Sequence, residues 1–574
     1  MVHGAVHSLF RIIGTIITLI IIGLAGLVWR LSYGPISVDF LAPYVAESFA
    51  VEGNFQFDIQ DVVISWSGFL NKPVVQAKDI VVFDKGGHVV AEFPDLKVMF
   101  SLHSILEGNL APEEVVLSSP NIRLIREEGG HILFLVELGP ESQAVEGVKE
   151  VEESKNPTAG FMRQVIKAIT RPGDATNLPG YFDKATIMDA EVVLVDEMSR
   201  TEWTITSGSI ELQRLKDGLQ IQSNLLLSQD DSYSELSVSG NYYTETEHVK
   251  LDINLIDVNL NTFSPFLTQV PYLSGANLKL GGSLELSMQV QETSLQLISA
   301  DLSVNEGQGT LDLTAPIRST YPVRNISLTA NTRDWDYLTI SLASFEIGEA
   351  NQINPKISLI ADGSGFSNEP VISANISIDR LSLEALREYW PPGVKPNTKN
   401  WIARNLRNGT ISNVNLDLQL SGPTFGGLNV ASFEGAANLN NIDVTYISQM
   451  PKVIGASGKM RLGFSDITID VDGGYVSQSD FLRTLDIESG RIRLYGLDTE
   501  NSLADIDLRI NGELHDAVVL LDEQPLRFSS AIGITPSSVS GDAEILLGLD
   551  FPLAQQISLD ETRITAQASM SATA

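Results

Sequence analysis

The feature that most constrains this chain is a strict two-residue alternation of apolar and polar side chains. Val249, Leu251, Ile253 and Leu255 alternate with Lys250, Asp252 and Asn254, and Leu278, Leu280, Leu284, Leu286, Met288 and Val290 alternate with Lys279, Glu285, Ser287 and Gln289. Successive side chains of a strand point to opposite faces, so these stretches are strands with one greasy face and one wet face. The pattern returns over residues 372–378, 414–420, 460–471 and 503–510. A parallel sheet buried on both faces would give continuous apolar runs instead. The expectation is a mainly β, antiparallel architecture with one solvated face, and the apolar positions between Val249 and Val290 are the candidate binding face.

A second feature sits near the N-terminus, where residues 12–29 carry no charge between Arg11 and Arg30. At about 1.5 Å per residue a helix of that length spans roughly 27 Å, close to the ~30 Å hydrocarbon core. A cleaved leader would have a shorter apolar core and a small-residue exit, whereas this run ends at Leu27, Val28 and Trp29. The reading is an uncleaved transmembrane anchor through Ile12, Ile16, Leu19, Ile20, Leu24 and Trp29, with Trp29 and Tyr33 at the aromatic belt. Arg11 and the α-amino group weigh weakly against Arg30, which puts residues 1–11 inside and the bulk of the chain on the far side.

Composition removes several function classes. The 72 acidic residues against 38 basic ones give a net charge of −34, a field that repels phosphate backbones and argues against nucleic acid as a partner. There is no cysteine, which excludes disulfides and thiolate metal sites. Hydrophobic content of 43% excludes a largely disordered chain.

Taken in order, residues 38–49 read as a short amphipathic helix broken or kinked near Pro43. Short β-branched segments follow at 62–66, 80–83, 89–93, 96–100, 115–117 and 122–125, with Lys85-Gly86-Gly87 and Glu128-Gly129-Gly130 as hairpin turns. Residues 34–140 thus form one N-terminal β unit. The Glu, Ser and Lys-rich stretch 141–157 reads as an exposed linker, and Phe161, Val165, Ile166 and Ile169 recur at helical spacing in a helix that either plugs or caps a sheet edge or lies plainly on the surface. Within the repetitive β segments expected over 181–380 and again over 410–574, one helical pair intervenes at 381–409. Ser382 caps its first helix through Tyr389, and Asn397 or Thr398 caps a second that closes at Gly409. Trp390 and Trp401 are placed to pin the pair onto a sheet. Alternation through Ile564, Ala566, Ala568 and Met570 predicts a C-terminal strand with an unpaired edge, so either the native chain continues or a protein partner adds a strand there.

No catalytic constellation emerges. His3 and His7 share a helical face without further ligands, and Asp470, Asp472, Gly473 and Gly474 lack the distal glutamate of a calcium loop, Phe481 standing in its place, so a hairpin turn is preferred. Gly455-Ala456-Ser457-Gly458-Lys459 lacks the first glycine and the final hydroxyl of a phosphate loop. The expectation is a protein that is not an enzyme, without metal or cofactor.

The anchor, the strand-turn unit PDLKVMFSLHSILEGNLAPEEVVLSSPNIRLIREEGG (94–130), DAEVVLVDE (189–197) and the island YWPPGVKPNTKNWIARNL followed by NGTI together resemble the AsmA-like family of Gram-negative envelopes, YhdP type. The resemblance implies a long antiparallel β-sheet curved into an apolar groove, held by an inner-membrane anchor with its bulk in the periplasm. Such a groove carries phospholipids by their acyl chains between inner and outer membranes. Exposing a two-chain lipid to water costs about 0.8 kcal/mol per CH₂, on the order of 20 kcal/mol per molecule, and a continuous apolar trough avoids that barrier. The competing reading closes the same strands into ordinary sandwiches and makes the protein an envelope scaffold or outer-membrane assembly factor.

Overall fold

The computed structural model describes residues 29–49, 55–66, 72–84, 89–126, 132–136, 157–174, 176–196, 201–229, 232–263, 275–291, 295–313, 319–333, 336–349, 353–366, 369–390, 396–424, 427–445, 450–497, 502–523, 533–553 and 562–570, with some single positions between them. Contacts divide the chain into two compact units, Met1–Pro265 with Ser283–Ala300, and Phe266–Gly282 with Asp301–Ala574. Of the anchor, Ile12, Ile16, Ile20 and Leu24 lie outside the described residues. Leu19 and Trp29 are helical and 63% and 68% exposed. Among the described residues no helix is long and apolar enough to cross a membrane.

In the first unit a 3-10 turn, Asp39–Leu41, leads into α1, Ala42–Ser48. Pro43 sits in the first helical turn, where its missing N–H has no partner to lose; it opens this helix and does not break it. Three long strands, β1 (Phe55–Ser65), β2 (Val74–Asp84) and β3 (Val89–Phe100), pair antiparallel in order, so the segments expected at 89–93 and 96–100 are one strand running through Pro94. After α2 (Leu102–Leu106), capped by the Ser101 hydroxyl, come β4 (Pro112–Ser118), β5 (Asn121–Arg126) and β6 (Ile132–Val136). Beyond α3 (Pro157–Thr170) lie β7 (Lys184–Met188) and β8 (Glu191–Asp196).

Here the purely antiparallel expectation fails. β4 pairs parallel with β7, and β5 parallel with β8. The intervening 137–183 stretch is long enough to return the chain to the same end of the sheet, the length a parallel crossover needs. From β9 (Thr201–Leu215) the order is again antiparallel through β10 (Gly218–Gln229), β11 (Ser232–Tyr243) and β12 (His248–Asn259).

A line of backbone irregularities crosses these strands. Asp79 and Pro94 stand opposite each other where the β2–β3 register steps from Lys78–Asp95 to Ile80–Phe93. Ser119 interrupts β4 and β5, Asp189 interrupts β7 and β8, and the β9 register shifts between Ser207 and Ser209. Asp79, Ser119 and Asp189 all take left-handed backbone, with φ of 50°, 50° and 53°. Only the β9 shift is a bulge, which bends the strand and increases its twist. At the others the register stays in step and one or two pairs are skipped, so Pro94, opposite Asp79 at such a gap, has no ladder bond for its missing N–H to break.

Packing in this unit is concentrated at its start. Val45 of α1 is buried against Val62, Val75, Val98 and Phe100, and Val82 and Ala91 form a neighbouring cluster touched by Val165 of α3.

Two strands, β13 (Asn277–Val290) and β14 (Leu295–Leu313), contribute residues to both units. The second unit continues with β15 (Ser319–Arg333), β16 (Tyr337–Ile347), β17 (Lys356–Ser364) and β18 (Val371–Ser382), antiparallel neighbours in sequence. α4 (Leu383–Tyr389) and α5 (Pro396–Asn405) follow, and β18 then pairs with β19 (Thr410–Ser421). The Ser382 hydroxyl accepts from the Ala385 amide at 3.1 Å, so the expected cap is present. The second helix begins at Pro396 and ends at Asn405, shorter than the expectation to Gly409, because Leu406 and Arg407 pair with Val444 and Asp443. The sheet continues through β20 (Asn429–Val444), β21 (Val453–Leu462), β22 (Asp466–Val476), β23 (Leu485–Tyr495), β24 (Leu503–Glu513), β25 (Asp542–Pro552) and β26 (Arg563–Met570). Helices cover its apolar face at two places. Leu383 is fully buried over Ile411, Val414 and Ile442, and α6 (Leu514–Asp522) buries Leu514, Val518 and Leu520 against Leu485, Ile487 and Ile545.

Candidate functional site

Cross-strand register in the first unit assembles the alternating residues into rows. Ile210, Ser223, Val238 and Ile253 form one, Leu212, Ile221, Gly240 and Leu251 the next, and Leu219, Tyr242 and Val249 a third. Leu225, Leu236 and Leu255 form a fourth on the same face. The interleaved rows are polar, as in Gln222, Ser239 and Asp252, or Asn224, Ser237 and Asn254. A Cβ on Gly240 would stand 2.5 Å from Cδ2 of Leu251, so the glycine makes the space over which that leucine lies.

Two of the predicted stretches meet here. His248 Nε2 lies 2.7 Å from Ser287 Oγ, and Lys250 Nζ lies 3.6 Å from a Glu285 carboxylate oxygen. Both contacts share one antiparallel register, which sets Val249 opposite Leu286 and Leu251 opposite Leu284, with polar partners on one face and apolar ones on the other. Gln289 is an exception to the wet-face reading. It is half-buried, and its amide donates to the carbonyls of Thr246 and Glu247 at 2.8 and 3.1 Å.

The burial of this face is its informative property. Val249, Leu251, Ile253, Leu255, Leu278, Leu280, Leu284, Leu286, Met288 and Val290 are all partly buried, neither sealed from solvent nor fully exposed. Of the apolar side chains in the first-unit rows only Leu219 is buried, and among the described residues no cluster of buried apolar side chains lies on β9–β12. In the second unit the row Leu328, Ala343, Leu359, Ile376 and Leu416 is likewise partly buried throughout. A sandwich core interdigitates two inner faces at native density. Among the described residues, no cluster of buried apolar side chains covers the rows on β10–β12, whereas Leu212 at one end lies against α3 and Leu416 packs on the cluster under α4.

At the start of the first unit the apolar face is covered, and a cavity of about 190 Å³ remains beneath the cover. Phe57, Ile80, Phe93 and Leu212 line it from the strands, and Val165 and Ile169 from α3. Whereas a sheet edge or a plain surface position is expected for this helix, its Val165 and Ile169 lie over a sheet face. Its C-terminal end is held by Arg214, whose guanidinium donates to the carbonyls of Arg171 at 2.9 Å and of Gly180. Burial lowers the pKa of Arg214 from the ordinary guanidinium value, and Asp183 counteracts it. Asn177 Nδ2 donates to the Ala168 and Pro172 carbonyls at 3.0 and 3.1 Å. Sequence reasoning passed over Arg214; the signal was a lone cation in phase with Leu212 on an otherwise apolar face.

The polar candidates resolve differently. Asp470, Asp472, Gly473 and Gly474 lie inside β22 and not in a hairpin turn; the register shifts beside Gly473 to make a bulge. Asp470 faces Arg491 at 3.0 Å and Arg461 at 2.9 Å, and these arginines lower its pKa. Residues 455–459 lie in β21. His3 and His7 are outside the described residues, as is the side chain of Trp401, while Trp390 is partly buried at the end of α4. Among the described residues no group of three or more His, Cys, Asp or Glu side chains could hold a metal ion. No protein-family model, curated protein or solved structure matches the chain.

Proposed function

We propose that this protein holds phospholipid acyl chains along the apolar face of its strands and carries them across an aqueous compartment. The supporting observation is the apolar layer of β10–β12, partly buried and, among the described residues, without a cluster of buried apolar side chains packed on it. A protein that sealed this face would bury its leucines and isoleucines fully, whereas mobile acyl chains need a face that stays open to them. The formal charge of −34 keeps a chain with such a face soluble. The reading includes a single-pass anchor over residues 12–29 in a bacterial inner membrane, the bulk of the chain in the periplasm, and membership of the AsmA-like family, YhdP type. It includes no chemistry on the head group and so no enzymatic step.

Two experiments test it. Full-length protein, purified in phospholipid-free detergent and incubated with phosphatidylethanolamine vesicles, is expected to retain phospholipid on native mass spectrometry and to speed transfer of a fluorescent phospholipid between vesicle populations. Absence of both retention and transfer sinks the reading. A reporter active only in the periplasm, fused after Gly34, is expected to be active, and silence there overturns the localisation and with it the transport route. The buried clusters under α4 and α6 favour a second reading for those places alone, a packed scaffold that stiffens the second unit.

A further inference from the structure

The cavity beneath α3 has a property that the open face lacks: no polar surface lines it. Packed interiors retain few voids larger than a water molecule, because the lining atoms of a void lose their contacts on one side. Water does not fill such a space either, since it would find no hydrogen-bonding partner. A dry cavity of about 150 Å³ lined by Leu, Ile and Phe is large enough to take a benzene-sized apolar group. At about 190 Å³ this one exceeds that size, and Phe57, Ile80 and Phe93 give it the same kind of wall.

Its wall is also fixed. Arg214, Asn177 and the tight turn around Gly173 and Gly180 bracket the C-terminal end of α3; a Cβ on Gly180 would come within 2.6 Å of the Gly173 nitrogen. The Tyr181 hydroxyl donates to Glu107 at 2.6 Å, tying the bracket to the residue that follows α2. Val165 and Ile169, one helical turn apart, are thereby held against the strands.

The cavity and the open face share a wall residue. Leu212 lines the cavity and also stands in the row with Ile221 and Leu251. Ala185, Leu212 and Ile221 stand in register on β7, β9 and β10, so a hydrocarbon laid along that row runs over apolar side chains toward the cavity. An entrant with an amide, hydroxyl or charge would leave it without a partner inside, at a cost no contact there offsets. We propose that the cavity beneath α3 is a binding site for the methyl-terminated end of a single acyl chain, whose polar head stays outside. The choice of ligand rests on the lipid reading above; the cavity itself does not.

The test uses full-length protein and two photoactivatable analogues of palmitic acid, one with a diazirine at the methyl end and one with it near the carboxyl, with adducts mapped by mass spectrometry. The methyl-end probe is expected to label Phe57, Phe93, Val165 or Ile169, and the carboxyl-end probe to label the open-face rows. Val165→Trp, which fills the cavity, is expected to cut methyl-end labelling of Phe57 and Phe93 at least tenfold while open-face labelling persists. Ile169→Phe serves the same purpose should Val165→Trp disturb α3, as read by limited proteolysis between residues 157 and 182. Methyl-end labelling confined to the open face overturns this proposal and leaves the lipid reading standing. Labelling that survives both variants in folded protein also overturns it. Labelling of the cavity without labelling of the open-face rows supports the site and counts against the transport reading.

Discussion

Arg214 reaches from the apolar face of β9 to donate to the Arg171 carbonyl at 2.9 Å, just past the last residue of α3. The final carbonyls of a helix have no intrahelical partner, and a cation there both satisfies them and complements the helix dipole. The same guanidinium serves the Gly180 carbonyl, so one side chain joins the helix end to the turn that follows it.

Arg214→Ala is therefore expected to free the 157–182 segment and not the strands beneath it. Charge-assisted hydrogen bonds contribute roughly 1.5–3 kcal/mol each, and the net loss should be about 3 kcal/mol in local stability. Hydrogen exchange across 157–182 checks this directly. Arg214→Lys keeps the charge without the planar fork and should fall between wild type and alanine. Unchanged protection in both variants would mean that packing of Val165 and Ile169 alone holds the helix.

The line of left-handed residues makes a second prediction. Asp79, Ser119 and Asp189 take φ near +50°, where a β-branched side chain is strained and glycine is not. Asp79→Val should lower stability by about 1–2 kcal/mol, while Asp79→Gly should be within about 0.5 kcal/mol of wild type. Chemical denaturation of the two variants separates backbone strain from loss of the carboxylate, because both lack it.

How far the sequence revealed this architecture depends on the period of the signal. The strands from Val249 to Leu255 and from Leu278 to Val290 were legible because side-chain alternation is a local property, and the Ser382 cap was legible for the same reason. The parallel pairing of β4 with β7 was not legible, since it joins residues that a long intervening stretch separates. Asp79 and Asp189 look like ordinary polar residues until their strands are aligned. Proline at position 94 suggested a break between two strands, but the ladder skips the pair it would form with Asp79 and resumes in register on either side. The candidate face was legible as a face, whereas its coverage was not. Nothing in the local pattern of Leu251 or Leu485 tells which of them lies under a helix, yet Leu485 is sealed beneath α6 and Leu251 is not.

Substitutions on the two faces of one strand test what that coverage means. Ile253 is partly buried in an apolar row, and its neighbour Asn254 is exposed on the polar face. Asn254→Asp should be nearly neutral, within about 0.5 kcal/mol. Ile253→Asp puts a charge where acyl chains would lie, and it should abolish phospholipid retention while circular dichroism keeps its β signal. In a closed core the same carboxylate would find no water and would unfold the region. Loss of the β signal in Ile253→Asp would thus argue for a packed interior at this row.

Acid should open the second unit at α6. Asp516 is fully buried, yet it accepts from the backbone amides of Leu482 and Arg483 at 2.7 and 2.9 Å and lies 2.9 Å from His515 Nδ1. Burial works to raise its pKa, but the hydrogen bonds from His515, Leu482 and Arg483 outweigh it, and the net shift is downward. A carboxyl with a folded-state pKa below its unfolded value of about 3.9 contributes stability that is fully present above that pH and is lost as pH falls through the folded value. The contribution should therefore be flat from neutral pH to about pH 5 and should fade below about pH 4. Asp516→Asn replaces one accepting oxygen with a donor that faces another N–H, and should cost about 1.5–3 kcal/mol at neutral pH. The difference between wild type and this variant should narrow as pH drops toward 3, because wild type is then losing the same charge. Denaturant titrations of both proteins between pH 3 and 7, read by hydrogen exchange across 481–484 and 514–522, measure that difference. A gap that stayed constant with pH would show that Asp516 holds the 481–484 turn through shape alone, with no contribution from its charge.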